Sequence, residues 1–272
     1  LRVKNLVRAM AVPAAFGIAL ATSTAANAHY VYFAEIVWSN PDSSRCLMNY
    51  SETSHGSNGG GYFKGQARSQ AEVSPSPTDC ILPWQRNTGM LAEGQIIYKW
   101  SVDQWVICDR TDQWYFNNGP ASTYQLVTTA PASGPCGSGY YGLDNIAAMN
   151  DNGEWHGWNV TNWSGYHWLP DTSGLSANSS SLVPTTEAEG APPKPEWMNP
   201  NSGVKAPDAI PVADENGNLV KNKDGSLFKV SPLMPKPTKH NGTTKGGQRS
   251  VTVDKDGNVT ESVTVERVRP RP

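Results

Sequence analysis

All four cysteines of this chain, Cys46, Cys80, Cys108 and Cys136, lie before Pro170 and follow a segment written like an export signal. Arg2, Lys4 and Arg8 make a basic start, Ala9–Ala21 is apolar, and Ala26-Asn27-Ala28 supplies an A-x-A cleavage pattern. The apolar run is 13 residues and is broken by Pro13 and Gly17, which is short of a membrane span. The expectation is a signal peptide over residues 1–28, a mature chain beginning at His29, and a secreted, extracellular protein of bacterial type. Cysteines in an oxidising compartment pair, so two disulfides are expected. Three connectivities are open. Spacing favours Cys46–Cys80 and Cys108–Cys136, local bridges that would each stabilise by about 2–4 kcal/mol. A four-cysteine zinc site would need C-x-x-C pairs, which are absent.

Charge narrows the partners. Residues 29–170 carry 12 acidic against 6 basic side chains, and residues 171–272 carry 12 against 13. An acidic folded region argues against nucleic acid, whose binders present a basic face. After the signal no apolar run is long enough to span a bilayer, so no membrane insertion is expected.

Composition divides the chain near Pro170. Residues 29–170 hold nine of the ten Trp and all four Cys, and are read as an aromatic-rich β domain. Residues 171–211 are rich in Ser, Pro, Gly and Thr and read as a linker, too poor in apolar surface to offset its ordering entropy. Residues 212–272 read as a tail, largely disordered apart from hairpin-like segments. Within the domain, Tyr30–Trp38 is dense in β-formers, and Ile96, Tyr98 and Trp100 alternate with their neighbours at strand period. A turn at Asp103-Gln104 leads into Trp105–Cys108, and Tyr124–Thr129 is a further strand. Asp103-Gln104-Trp105 is echoed by Asp112-Gln113-Trp114 nine residues later, a spacing that suits a meander. His55–Gly61 and Gly134–Gly139 read as loops, which places His55 in a flexible loop. The class is mainly β, a small disulfide-bonded antiparallel sandwich or barrel.

The tail has structure-forming signals of its own. Asn216-Gly217 and Asp224-Gly225 are strong turn pairs, and Ser250–Asp254 with Val259–Val268 flank Lys255-Asp256-Gly257-Asn258 as a hairpin. An isolated hairpin is marginal in water, so these segments stay disordered or add to another sheet, a partner's included.

Residues 155–168 pack Trp155, Trp158, Trp163, Trp168, Tyr166 and two histidines into 14 positions. Flat aromatic faces interleaved with amides suit a sugar-binding surface, where rings stack on pyranose C–H faces and Asn, Asp and His bond the hydroxyls. Small β domains also fill their cores with Trp. If the stretch forms strands, alternation exposes half of the cluster, and an exposed aromatic patch calls for a ligand or partner.

A mature chain starting with His29 would offer its α-amine and ring Nδ1 together as a chelator. One further imidazole, from His55, His156 or His167, would complete a three-nitrogen copper site. On His29 alone, and on being secreted, β-rich and disulfide-bonded, the chain is similar to lytic polysaccharide monooxygenases, which implies copper as the cofactor. Other chemistries lack their motifs: there is no G-x-S-x-G, no H-E-x-x-H and no Gly-rich phosphate loop. Glu35, Asp109, Asp144 and Glu154 could supply a glycosidase pair, but their spacing selects none. The leading expectation is a secreted, non-catalytic protein that binds a polysaccharide or an extracellular protein. The alternatives are a copper-dependent oxidoreductase and a structural or antagonism protein that assembles through its tail.

Overall fold

The structure is a computed structural model that describes residues 30–41, 44–55, 60–72, 80–101, 103–131, 134–169, 193–199, 202–238 and 247–266. The expected signal peptide over residues 1–28, His29, and residues 170–192, most of them in the expected linker, lie outside the described residues. For Glu72, Cys80 and Glu266 the backbone alone is described.

In chain order the strands are β1 (Tyr30–Ser39), β2 (Arg45–His55), β3 (Gly61–Glu72), β4 (Cys80–Pro83), β5 (Leu91–Ser101) and β6 (Gln104–Arg110). There follow β7 (Tyr115–Phe116), β8 (Thr123–Thr129), β9 (Gly139–Asp151), β10 (Glu154–His156) and β11 (Asn162–Leu169). The C-terminal part adds β12 (Ile210–Pro211), β13 (Lys229–Val230), β14 (Gln248–Val253) and β15 (Val259–Glu266), and one 3-10 turn at Glu196–Met198. The first sheet runs β1-β2-β3-β8-β15-β14, with β4 on β3. The second runs β10-β9-β5-β6, with β11 on β9 and β7 on β5. All named pairs are antiparallel except β15 with β8. The chain is mainly β, and the two sheets face each other.

Alternation explains what each sheet buries. Leu47 of β2 and Leu126 of β8 meet Leu91, Ala147 and Met149 of the second sheet in one apolar cluster. Phe63 meets Ile97, Tyr141 and Leu143 in another. Met48, Tyr50 and Glu52 alternate with these inward residues. On that outer face Tyr50 donates to Glu52 at 2.5 Å and Lys64 pairs with Glu52. The Cys108–Cys136 bridge is formed, with Cα atoms 5.9 Å apart. Cys46 is disulfide-bonded as well, and no described cysteine is free.

β5 is buried at every position from Leu91 to Lys99, as expected of a strand covered on both faces. Its inward residues face the first sheet. Ala92, Ile96 and Tyr98 face the other way, under Met198, Ile210, Val212 and Met234 from beyond Pro170. The described residues 193–199 and 202–238 therefore form a cap on the domain. The cap is anchored by polar contacts: Trp105 Nε1 donates to the Pro193 carbonyl at 2.7 Å, Trp114 Nε1 to that of Pro235 at 2.8 Å, and Arg110 to that of Ser231 at 2.6 Å. The Ala213 amide donates to the Ile107 carbonyl at 2.9 Å.

The C-terminal hairpin also forms. It adds to the domain's own sheet, with β15 parallel to β8 from Thr260↔Thr123 to Glu266↔Thr129. Val263 and Val265 enter the core, while the Glu261 carboxylate accepts from the Asn118 and Gly119 amides at 2.8 and 3.0 Å and pairs with Arg249 at 2.8 Å. The turn pairs behave as their residue types require. Gly217, Gly225 and Gly257 take φ of +85°, +85° and +82°, which only glycine adopts without strain.

Candidate functional site

The aromatic stretch from Trp155 to Trp168 is divided between core and surface. β10 ends at His156, and Gly157 turns the chain with φ +79°. Trp155 is buried against Phe116, ring centres 5.7 Å apart. Trp163 is buried between Tyr98 and Trp105, at 5.9 and 5.0 Å, and lies flat over Gly142, where a Cβ would come within 2.0 Å of the ring. Trp158 is half-buried against the same cluster. Trp168 differs, with 40% of its surface exposed. Tyr140 holds it edge-on at 5.0 Å and 78°, and Tyr140 in turn meets Tyr166 at 5.5 Å and 83°. Tyr140 was not singled out in the sequence. Strand pairing brings it here, since β9 and β11 align Tyr140 with Trp168.

The histidines separate by position. His156 stacks on Trp38 at 4.4 Å and 20°, at the end of the sandwich where β1 finishes. His55 and His167 stack on each other at the opposite end, centres 6.0 Å apart and planes 16° from parallel. His55 closes β2 and does not sit in a loop: the cross-strand pair His55↔Gly61 is intact. His167 reaches it from β11, across a Thr53–Ser164 hydroxyl hydrogen bond of 2.8 Å. Among the described residues no third His, Cys, Asp or Glu joins them. His29 lies outside the described residues. It is covalently next to Tyr30, which pairs with Ser54, the neighbour of His55.

The four carboxylates considered from the sequence also diverge. Asp109 is buried and accepts from the Arg110 amide at 2.8 Å, and Glu154 is exposed. Asp144 is fully buried, and its carboxyl is pushed up to about 7 by desolvation, opposed by the Asn162 amide that donates to it at 2.9 Å. The Glu35 charge adds to that rise and Lys194 reduces it. Glu35 itself is raised by burial. Asp144 has no solvent contact.

A polar line missed by sequence reading crosses the space between the sheets. Asn145 Nδ2 donates to Asn49 Oδ1 at 2.7 Å and to Glu93 Oε1 at 3.1 Å, and Asn162 Nδ2 donates to the Asn49 carbonyl at 2.7 Å. Glu93 also accepts from the Leu126 amide at 2.6 Å. Burial raises the Glu93 carboxyl well above its usual range, against the pull of these donors. Its role is to join the sheets.

No protein-family model, curated protein or solved structure matches this chain. The functional reading therefore rests on the residues themselves.

Proposed function

We propose that this is an exported binding protein whose ligand face is the Tyr140–Tyr166–Trp168 surface, and that its ligand is a polysaccharide chain. The observation that carries the reading is Trp168, an exposed indole held edge-on by Tyr140. A ring held in one orientation loses little freedom when a sugar stacks on it. Tyr140, Tyr166 and Trp168 together make a partly exposed aromatic patch, the kind of surface a ligand uses. Binding to a panel of insoluble polysaccharides, wild type against Trp168→Ala, is the test. Binding that is lost in the variant while the melting temperature falls by no more than a few degrees supports the proposal. Equal binding by both proteins, or capture of a protein partner with no affinity for any glycan, overturns it.

A second reading is favoured by the His55–His167 pair. With signal cleavage after Ala28, His29 would be the first residue, covalently next to Tyr30, whose partner Ser54 precedes His55 of an imidazole pair gathered by the fold. These donors fit Cu(II), which takes imidazole nitrogen in tetragonal sites. Copper bound there would supply one-electron chemistry, and the residues that would hold it are His29, His55 and His167. Electron paramagnetic resonance of the processed protein with one equivalent of Cu(II) is the direct measurement. Nitrogen hyperfine structure that disappears in His167→Ala supports the site. A spectrum unchanged in that variant removes it.

A further inference from the structure

The end of the sandwich opposite Trp168 carries a second, chemically different surface. β1 runs from Tyr30, beside His55, to Ser39, which pairs with Cys46, the neighbour of Arg45. β9 runs the same way, from Gly139 opposite Leu169 to Asp151. Where both strands finish, two adjoining depressions of about 370 and 500 Å3 share Arg45, Asp151 and Asn152.

The smaller depression has an excess of positive charge. Asp151, which is buried, accepts from Arg45 at 3.1 Å and from Arg86 at 3.3 Å, so two guanidinium groups share one carboxylate. Among the described residues no other carboxylate lines this depression, and Glu154 lines the larger one. Arg86 is 8% exposed, and its Nη2 already donates to the Asn150 carbonyl at 2.6 Å. Its Nε–H is buried and has no partner among the described residues. Burial pulls the Arg86 pKa down and Arg45 pulls it further, while Asp151 restores part of it. A cation in that position is incompletely compensated, and an incoming anion would complete it. A guanidinium edge presents parallel N–H donors that match a planar carboxylate.

The surroundings suit a sugar. Gln85, Asn87 and Asn152 are exposed amides around the smaller depression, and the larger one is walled by the stacked Trp38 and His156. Trp84 lies against both guanidiniums, with Arg86 at 3.8 Å and Arg45 at 5.4 Å from its ring centre. We infer that this end of the sandwich binds an acidic glycan: a uronate carboxylate docks on Arg86 and Arg45, amides bond the hydroxyls, and the next sugar ring lies against Trp38 and His156. This site goes beyond the Trp168 surface and does not depend on it.

Calorimetry on the full secreted chain tests it with three probes: trigalacturonic acid, its methyl ester, and sodium sulfate. The acid should bind at least about tenfold more tightly than the ester, and more weakly as salt rises. Arg45→Gln should weaken the acid about tenfold. Because that change also touches a salt bridge, Asn87→Asp serves as the second variant: it adds a negative charge at an exposed position and should weaken the acid similarly with an unchanged melting temperature. Trp168→Ala should leave acid binding intact, which separates this site from the proposed glycan face. Equal affinity for acid and ester, binding of sulfate without the saccharide, or indifference to both variants would overturn the inference.

Discussion

Asn145 donates its side-chain amide to Asn49 Oδ1 at 2.7 Å, and this contact joins two sheets whose shared core is otherwise mainly apolar. Gly65 lies opposite, so close that a Cβ there would fall 1.8 Å from Asn145 Oδ1. A strand glycine at such a place marks close approach of a neighbour. Gly65→Ala must push the Asn145 amide away from Asn49 and Glu93. The expected loss is about 1–3 kcal/mol for each buried polar group left without its partner. Urea unfolding of Gly65→Ala, Asn49→Ala and the double variant should give a clearly non-additive cycle, since all of them break the same contacts. Additive losses would mean that Gly65 acts through something other than Asn145.

Asp144 makes stability depend on pH. Its folded pKa, about 7, lies above the ordinary 3.8, so the folded chain holds a proton that the unfolded chain has released. Stability from the neutral form is complete below about pH 4 and falls as pH rises towards 7. Three units correspond to about 4 kcal/mol at about 1.4 kcal/mol per unit. Asp144→Asn should remove that slope, so the variant gains on the wild type by about this amount between pH 4 and 7.5. Glu93 shifts in the same direction and adds a dependence of the same sign to both proteins, so the comparison rests on the difference between them. Parallel stability profiles for the two proteins would show that Asp144 ionises in the fold as it does in the open chain.

The C-terminal cap should unfold together with the domain. Met198 and Met234 are 2% and 4% exposed against Ile96, Tyr98 and Ile107. Replacing either with Ala should cost about 2–5 kcal/mol. Val251→Ala, on the exposed edge strand β14, should cost almost nothing. Amide exchange gives an independent check: the Ala213 and Ser122 amides, which donate to the Ile107 and Val259 carbonyls, should exchange as slowly as those of β5. Fast exchange at Ala213 would mean that the cap opens by itself.

The sequence announced those parts of the fold whose signals are local. The β5–β6 hairpin turns at Asp103, with φ +60°, at the predicted place. The Asn-Gly and Asp-Gly pairs turn with glycine left-handed, and the local Cys108–Cys136 pairing is formed. The cap escaped notice because Met198, Ile210, Val212 and Met234 are separated by turn residues and follow no period. Their partner face, Ile96, Tyr98 and Ile107, lies about a hundred residues earlier in the chain. The sequence alone puts His55 in a loop because the Gly/Ser/Asn run begins at the next residue and masks the end of β2. The groove at Arg86 was invisible for a different reason: Trp38, Arg45, Trp84 and Asp151 belong to separate segments, and only the ends of β1 and β9 bring them together.

The two tryptophans of β11 give the sharpest contrast. Trp163 is 5% exposed, wedged between Tyr98 and Trp105 and laid over Gly142. Trp163→Ala empties a large part of the cluster under the cap, at a cost of about 3–5 kcal/mol. That loss should show first as a low yield of folded protein. Trp168, five residues on, keeps 40% of its surface in solvent and touches mainly Tyr140. Its removal forfeits one edge-to-face contact, about 0.5–1.5 kcal/mol, and lowers the melting temperature by only a few degrees. A polysaccharide that stacks on this ring should lose affinity by a comparable 1–2 kcal/mol, roughly a five- to thirtyfold change in Kd. Trp168→Phe should recover part of it, because a smaller aromatic face remains. Should Trp168→Ala prove as destabilising as Trp163→Ala, the indole belongs to the core and the ligand face must be sought elsewhere.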